Sequence, residues 1–275
     1  MSGIFRTIRH IVIALAGVAA AVTPLWFAAA GLGTRFGLWE YSFGLGTMTF
    51  SWGPPLLFTT VGLGGGALVL AIIYRLLFGQ SNAPGAGGYV AAVAALAVGG
   101  AGLWYADSVR TTAQTLPPIH DITTDTANPP QFSAAMIERR EDDGARNSVD
   151  YASKIDPRSE RPLPQVQAEA YPDIQPIMTG AEPLLAYRAA LGAARELGWR
   201  VTTASEDALM FEGTSTTFWY GFKDDVVVRV TELEQGGSRI DARSVSRVGV
   251  SDLGANAARL RAFSERVRSS LGEAA

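Results

Sequence analysis

The chain has 275 residues, no cysteine and a formal net charge of -3. The absence of thiols excludes disulfides, thiol catalysis and cysteine metal sites, and the small negative charge argues against a nucleic-acid partner. Charged residues are sparse over positions 1–106, which are rich in Ala, Gly, Leu and Val. We therefore predict a membrane domain over 1–106, an extended Pro-rich segment over 107–178 and an α+β domain over 179–275.

Three apolar segments predict three transmembrane helices, at about 11–31, 56–78 and 88–105. A helix needs roughly 20 apolar residues to cross about 30 Å of hydrocarbon, and none of the three segments has a charge in its middle. The other interpretation is three buried helices of a soluble core. We disfavour it because the segments have no polar face.

The first apolar segment has a second interpretation of its own. Arg6 and Arg9 precede it, and Ala28-Ala29-Ala30 resembles a signal-peptidase site. However, the apolar run is longer than the roughly 7–15 residues of a signal-peptide core. We favour an uncleaved helix and leave cleavage open.

Basic residues near the ends of the helices predict the orientation of the chain. The positive-inside rule places Arg6, Arg9 and Arg75 in the cytoplasm. With the N-terminus inside, three crossings place everything after Asp107 outside. We expect a multi-pass protein of the inner (cell) membrane with a periplasmic, or otherwise extracytoplasmic, C-terminal domain.

The prolines of segment 107–178 forbid long helices, although a short helix fits Ala134–Arg140. The same segment brings His120 close in sequence to Asp121 and Asp125. These side chains suggest acid–base or metal chemistry, but one imidazole and two carboxylates make a thin ligand set. The other interpretation is that the aspartates make local turn hydrogen bonds and His120 packs at the surface.

The remaining residues predict a helix, four strands and a helix. A capping box, Thr179-Gly-Ala-Glu182, is expected to begin the first helix, and Gly198 is expected to end it in the left-handed conformation. The predicted elements are a helix over about 179–197, strands over about 199–204 and 208–217, two hairpin strands within 222–248, and a helix over about 252–271. Short connections favour a four-stranded antiparallel sheet with two helices on one face.

The hairpin is the most strongly patterned stretch of the chain. Val226, Val228 and Val230 recur with the two-residue period of a strand, and Gln235-Gly-Gly-Ser238 is a tight-turn signal. The returning strand alternates again, so that its even-numbered residues face one way and its odd-numbered residues face the other. We expect the two helices to cover the even-numbered face.

The odd-numbered face carries a basic row made of Arg239, Arg243 and Arg247, with Arg229 across the hairpin. Guanidinium groups suit phosphate and carboxylate, so this face is a candidate site for an anionic ligand. The other interpretation is a solvated sheet face whose charge is balanced by neighbouring acids such as Asp241. Both interpretations expect the arginines to be exposed.

The turn that follows the hairpin, Ser246–Asp252, leads into the last predicted helix. Free amides at a helix N-terminus can hold an anion, but Asp252 is expected to cap this first turn itself. We keep Ser246, Asp252 and Asn256 as candidate ligand-binding residues.

Four stretches of the sequence resemble a known family. They are His120-Asp-Ile-Thr-Thr-Asp125, Tyr171-Pro-Asp-Ile174, Gly221-Phe-Lys-Asp-Asp-Val-Val-Val228 and Ser244-Val-Ser-Arg-Val-Gly-x-Ser-Asp-Leu-Gly-x-Asn256. Over about Leu116 to Leu271, the chain resembles the bacterial family called domain of unknown function 1499. The resemblance implies an envelope-associated domain, often beside membrane helices, and it implies no reaction.

The sequence contains no Ser/His/Asp elbow, P-loop, HExxH or Rossmann fingerprint, and we predict no cofactor and no metal. The favoured hypothesis is a non-enzymatic binding or assembly module that lies beside the lipid bilayer. It would engage an anionic lipid or glycan of the envelope, or another membrane protein. A hydrolase that uses His120 with Asp121 or Asp125 is the second hypothesis, and a structural subunit of a membrane complex is the third.

Overall fold

The computed structural model describes residues 2–79 and 85–272. The chain forms two compact units. The first, here called the membrane unit, contains the residues up to Thr111 together with Phe218–Gly221. The second, here called the sheet unit, contains Thr112–Thr217 and the residues from Phe222 onward.

The membrane unit contains three long helices. They are α1 (Ser2–Arg35), α2 (Gly53–Phe78) and α3 (Ala86–Thr115), and a short π-helix, Ser42–Ser51, precedes α2. All three long helices are long and apolar enough to cross a membrane, which confirms the expectation of three apolar helices. Each of them extends beyond its apolar segment. At 1.5 Å per residue, α1 is about 50 Å long, whereas the hydrocarbon layer is about 30 Å thick.

Small residues let α2 approach its neighbours closely. A Cβ atom on Gly64 would lie 2.9 Å from the Ala92 carbonyl oxygen and 2.9 Å from the Leu96 nitrogen of α3, so only glycine fits there. Between α1 and α2, the hydroxyl oxygens of Thr23 and Thr60 are buried and 2.7 Å apart. This hydrogen bond satisfies two polar groups that an apolar environment would otherwise penalise.

In the described part of the sheet unit, six strands combine with four helices. The strands are β1 (Asp121–Thr123), β2 (Ile177–Thr179), β3 (Arg200–Ser205), β4 (Met210–Thr216), β5 (Lys223–Glu232) and β6 (Ser238–Ser246). The helices are α4 (Ala134–Asp142), α5 (Leu163–Ala170), α6 (Pro183–Glu196) and α7 (Ala255–Ser270).

The sheet is antiparallel and has the strand order β1-β6-β5-β4-β3, and β2 also pairs with β6. The expectation of four strands is therefore wrong, because segment 107–178 contributes β1 and β2. Each of these strands has only three residues, which is too short for a two-residue period to be recognised in the sequence. The short helix expected near Ala134–Arg140 is confirmed as α4, which begins after the N-cap residue Ser133.

The two faces of β6 divide as the alternation predicts. Ile240 and Ala242 point into the main hydrophobic core, which α6 and α7 cover. In this core the Trp199 ring stacks on Phe263 with 5.1 Å between the ring centroids. The expected turn joins β5 to β6, with positive φ angles of 85° at Gly236 and 81° at Gly237.

The two ends of α6 differ in how well the sequence predicted them. Gly198 ends the helix with φ at 75°, and the Trp199 amide donates to the Ala194 carbonyl oxygen at 3.0 Å, as expected. The predicted capping box is wrong. Thr179 belongs to β2, its hydroxyl accepts from the Ala181 amide at 3.1 Å, and Glu182 makes no side-chain capping bond.

The free edge of β1 is closed by a side chain. The Gln167 amide group of α5 donates to the Thr123 carbonyl oxygen at 2.6 Å and accepts from the Thr123 amide at 3.0 Å. Tyr151 donates its hydroxyl to the same Gln167 oxygen at 2.8 Å. Gln167 therefore satisfies backbone groups that an edge strand would otherwise leave unpaired.

Candidate functional site

The odd-numbered residues of β6 lie on the sheet face opposite the main core. Antiparallel pairing places Asp121 of β1 and Asp225 of β5 opposite Val245, one on each side of it. Residues two apart in a strand share a face. Arg243 and Arg247, which precede and follow Val245 by two residues, therefore lie on the same face as Asp121 and Asp225. Two carboxylates and two guanidinium groups are thereby brought into one small area.

Arg243 is completely enclosed. Its Nε and Nη2 atoms donate to the two carboxylate oxygens of Asp121 at 2.9 and 2.8 Å, the bidentate geometry that suits a guanidinium group. Its other donors reach the carbonyl oxygens of Pro130 at 3.2 Å and Val149 at 2.5 Å, and Lys154 forms a second ion pair with Asp121. The side chains of Arg243 and Asp121 are both 0% exposed, so the pair is closed to an external ligand.

Asp225 is enclosed in the same way. Arg247 donates to both of its oxygens at 2.8 Å, Arg140 donates at 2.6 Å and the Thr214 hydroxyl donates at 2.7 Å. Arg247 also pairs with Asp143. Burial lowers the pKa of the Arg140 guanidinium, and the neighbouring Asp225 carboxylate opposes that shift.

The remaining arginine of the basic row is only partly enclosed. Arg239 donates to Asp241 at 3.0 Å and to Asp125 at 2.6 Å, and Arg229 donates to Asp241 at 3.1 Å. The side chains of Arg239 and Arg229 keep 33% and 23% of their surface exposed. Asp125 also accepts from the Ala127 amide at 3.1 Å, so the expected local turn bond forms at this aspartate.

The chain between β1 and α5 covers this face of the sheet. Phe132 and Met136 pack there in one hydrophobic cluster with Val245, and the Arg243 guanidinium lies 5.4 Å from the centre of the Phe132 ring. The expectation that the basic face is exposed is therefore wrong for Arg243 and Arg247, which are 0% and 4% exposed. The Pro-rich segment, which looks like a spacer in the sequence, folds over them.

His120 lies just before β1. Its Nδ1 atom is 3.2 Å from the Val250 carbonyl oxygen, so Nδ1 must carry the proton and donate it. The Nε2 atom is buried and has no hydrogen-bond partner. Burial is the main cause that lowers the pKa of His120, and the charge of Lys154 acts in the same direction. Asp121, the carboxylate that was expected to act with His120, is engaged by other cations.

The turn from β6 into α7 is held by side chains. Asn147 donates to the Ser246 carbonyl oxygen at 3.1 Å, and Asn256 donates to the Ser246 hydroxyl at 2.9 Å. The Asp252 carboxylate accepts from the Gly254 and Asn256 amides, each at 2.8 Å, and so binds the first turn of α7 as expected. The helix begins at Ala255 after the N-cap residue Gly254, and not at Asp252 as predicted. Burial raises the pKa of Asp252. Ser246, Asp252 and Asn256 are brought together, but their polar groups bind this turn and one another.

This turn presents two apolar side chains to solvent. Val250 is 65% exposed and Leu253 is 39% exposed. Leu253 has a φ of 53°, a left-handed conformation that a bulky residue rarely adopts. A strained backbone that persists because its surroundings hold it is a common feature of functional sites. We call Val250–Leu253 the apolar loop.

Several polar residues of this arrangement were missed by the sequence analysis. They are Arg140, Asn147, Lys154 and Arg259. Their hydrogen-bond partners in this site lie between 33 and 99 positions away in the chain, and they are Asp225, Ser246, Asp121 and Asp224. No local spacing can signal such contacts, because they depend on how distant segments meet.

The chemistry open to these groups is limited. The carboxylates around β6 are each paired with at least one cation, and they are Asp121, Asp125, Asp224, Asp225 and Asp241. Among the residues that the structure describes, no cluster of three or more acidic or histidine side chains has the arrangement of a metal site. The arrangement is suited to holding segments together.

The fold and the site define a protein with three helices that are long and apolar enough to cross a membrane and an α+β domain with buried ion pairs on one face of its sheet. A family model described as "Protein of unknown function (DUF1499)" matches residues 121–267. The match covers more than half of the chain, and the protein belongs to this family, as the four motifs predict. No curated protein matches the chain. The family description names no activity, so the function has to be argued from the geometry.

Removal of the Asp225 charge should destabilise the fold strongly. Asp225→Asn leaves Arg140 buried without its counter-ion and removes one of the two carboxylates that pair with Arg247, and an unpaired buried charge typically costs about 3–5 kcal/mol. Asp173→Asn is the matched control, because Asp173 pairs with Arg261 at the surface and exposed pairs contribute less than about 1 kcal/mol. Chemical denaturation of the two variants should show this difference, and equal losses would contradict a buried network.

Protonation of His120 should cost stability. Because its pKa is lowered in the folded protein, the unfolded chain binds a proton more readily below about pH 6.5, and the free energy of unfolding falls as the pH decreases. His120→Asn keeps a donor for Val250 and removes the titration. Denaturation curves between about pH 5 and 7 should show a shallower pH dependence for this variant, whereas identical slopes would refute the assignment.

Proposed function

We propose that the protein is a membrane-anchored, non-enzymatic binding or assembly module of the cell envelope, and that its partner is a protein. The proposal depends mainly on one observation: the site residues lock the turn after β6 in place, and this turn exposes Val250 and Leu253. A loop that is ordered before binding loses little conformational entropy when a partner docks. Exposed apolar side chains then supply the binding free energy.

Charge argues against the anionic partner that the basic row suggested. From Thr112 onward the chain has 18 Lys and Arg residues but 24 Asp and Glu residues, and a net negative charge repels anions at long range. Arg243 and Arg247 are enclosed, so within the basic row only Arg229 and Arg239 remain partly exposed for an anionic lipid or glycan. A partner protein whose basic residues surround an apolar patch complements the acidic sheet unit and its apolar loop better than an anionic lipid or glycan does.

The hydrolase hypothesis has less support than the binding hypothesis. A catalytic histidine needs a nucleophile or a substrate within hydrogen-bond reach and usually a group that orients it. His120 is oriented by the Val250 carbonyl oxygen, but Asp121 and Asp125 are bound by Arg243 and Arg239. The third hypothesis, a structural subunit of a membrane complex, differs from this proposal only in that the protein partner would be permanently bound.

We also propose that the helices cross the inner membrane with the N-terminus in the cytoplasm, which would place the sheet unit outside. The basic residues Arg6, Arg9 and Arg75 lie at the ends that this orientation puts inside. Three crossings carry the chain from one side to the other.

A photo-reactive residue tests the apolar loop directly. Placed at position 250 in the full chain and irradiated in native membranes, it should give a discrete protein adduct. The same residue at position 178 is the control, because Met178 is 51% exposed but lies on β2. Adducts at both positions in equal yield, or at neither, would contradict a protein partner at this loop. Leu253→Asp should reduce the adduct at position 250 by about tenfold, which corresponds to about 1.4 kcal/mol.

Reporter fusions test the orientation. Alkaline phosphatase, which is active only outside the cytoplasm, should be active when it is fused after the last residue of the chain and inactive when it is fused between α2 and α3. A fluorescent protein that matures only in the cytoplasm should show the opposite pattern. The reverse result at both positions would overturn the proposed topology.

A further inference from the structure

The connection between β4 and β5 has an aromatic tip, Phe218–Gly221, with the sequence Phe-Trp-Tyr-Gly, and these residues belong to the membrane unit. The strands close behind the tip. The Thr217 amide donates to the Phe222 carbonyl oxygen, and the Thr217 hydroxyl accepts from the Phe222 amide, both at 2.9 Å. The four residues therefore form a tight projection and not a long loose loop.

The tip is held within the membrane unit by the Phe218 carbonyl group and by the side chains of Phe218 and Tyr220. Arg35, the last residue of α1, donates to the Phe218 carbonyl oxygen at 2.5 Å, and its guanidinium lies 5.3 Å from the centre of the Phe218 ring. The Tyr220 hydroxyl is 2.6 Å from the Thr49 hydroxyl. These contacts fix the tip without using the outer faces of Phe218 and Trp219.

The position of the tip along α1 sets its depth. The first apolar segment ends at Gly31, and a Cβ atom on Gly31 would lie 3.4 Å from the Trp219 Cβ atom. At 1.5 Å per residue, Arg35 is about 6 Å farther along the helix. When α1 spans the hydrocarbon layer, Trp219 therefore lies at its edge and Phe218 lies in the headgroup layer.

The residues that the structure describes leave the outer faces of these rings largely uncovered. Phe218 is 67% exposed and Trp219 is 53% exposed, and Phe36 and Leu38 just beyond α1 are 71% and 72% exposed. Such apolar area is unfavourable in water. At a membrane interface it is favourable, because Trp rings prefer the headgroup level and an arginine can bury its stem while its charge reaches the headgroups.

We infer that Phe218 and Trp219 insert into the headgroup region of the bilayer that α1 crosses, so that the partner of this tip is phospholipid. The inference rests on the proposed insertion of α1 and adds a second, non-helical contact with the same membrane. It is independent of the protein partner assigned to the apolar loop.

The cysteine-free chain makes depth measurement practicable. Single variants Phe218→Cys, Met178→Cys and Leu15→Cys, which replace side chains that are 67%, 51% and 47% exposed, can each carry one NBD fluorophore. The full chain is reconstituted in liposomes of phosphatidylethanolamine and phosphatidylglycerol. Quenching is compared for lipids spin-labelled at the headgroup, lipids spin-labelled in the middle of the acyl chain, and aqueous iodide.

The Phe218 probe should be blue-shifted and should lose most of its fluorescence to the headgroup label, while Met178 is quenched by iodide alone. Leu15, which lies within the apolar segment of α1, should respond to the acyl-chain label. A Phe218 probe that behaves like the Met178 probe, with Leu15 still quenched by lipid, would overturn the inference and leave insertion intact. If Leu15 were also untouched by the lipid labels, both the insertion of α1 and the inference would fail.

Discussion

The sheet unit depends on a carboxylate–guanidinium contact that water does not reach. Arg243 and Asp121 are both 0% exposed, and burial of each charge alone would be strongly unfavourable. The pair is tolerable only when both partners, and the carbonyl oxygens that complete the Arg243 hydrogen bonds, are in place. The pairing of β1 with β6 therefore depends on the charges of Arg243 and Asp121 compensating each other. The position of the chain that covers the two strands depends on it as well.

This dependence gives several of the residues that resemble the family a structural role. Asp121 of the first motif pairs with Arg243, which directly precedes the fourth motif. Asp225 of the third motif pairs with Arg247 of the fourth. Asn256 links β6 to the residue before β1 through the His120 carbonyl oxygen at 3.1 Å. The motifs therefore report how the domain is assembled. The surface that this assembly holds in place includes the apolar loop, where we propose that a protein partner binds.

The sequence predicts what local patterns determine. The three apolar helices, the hairpin turn at Gly236, the end of α6 at Gly198 and the hydrogen bond from the first turn of α7 to Asp252 all follow from patterns local in the sequence. The register of that hairpin also places Asp225 beside the basic row. By contrast, β1 and β2 are too short for a period to be recognised, and the pairing of Asp121 with Arg243 joins residues 122 positions apart. Exposure of the basic face was mispredicted because its cover comes from a segment with no periodicity.

A double-mutant cycle on Asp121 and Arg243 tests this account most directly. Asp121→Asn should lower the free energy of unfolding by about 3 kcal/mol, because it leaves Arg243 buried without its counter-ion. Arg243→Gln should lower it by less, because Asp121 keeps its ion pair with Lys154. The double variant should lose less than the sum of the two, with a coupling energy above about 1 kcal/mol. If Arg243→Gln unfolded at the same denaturant concentration as the parent protein and the coupling were zero, the pair would not organise the domain and the account would be wrong.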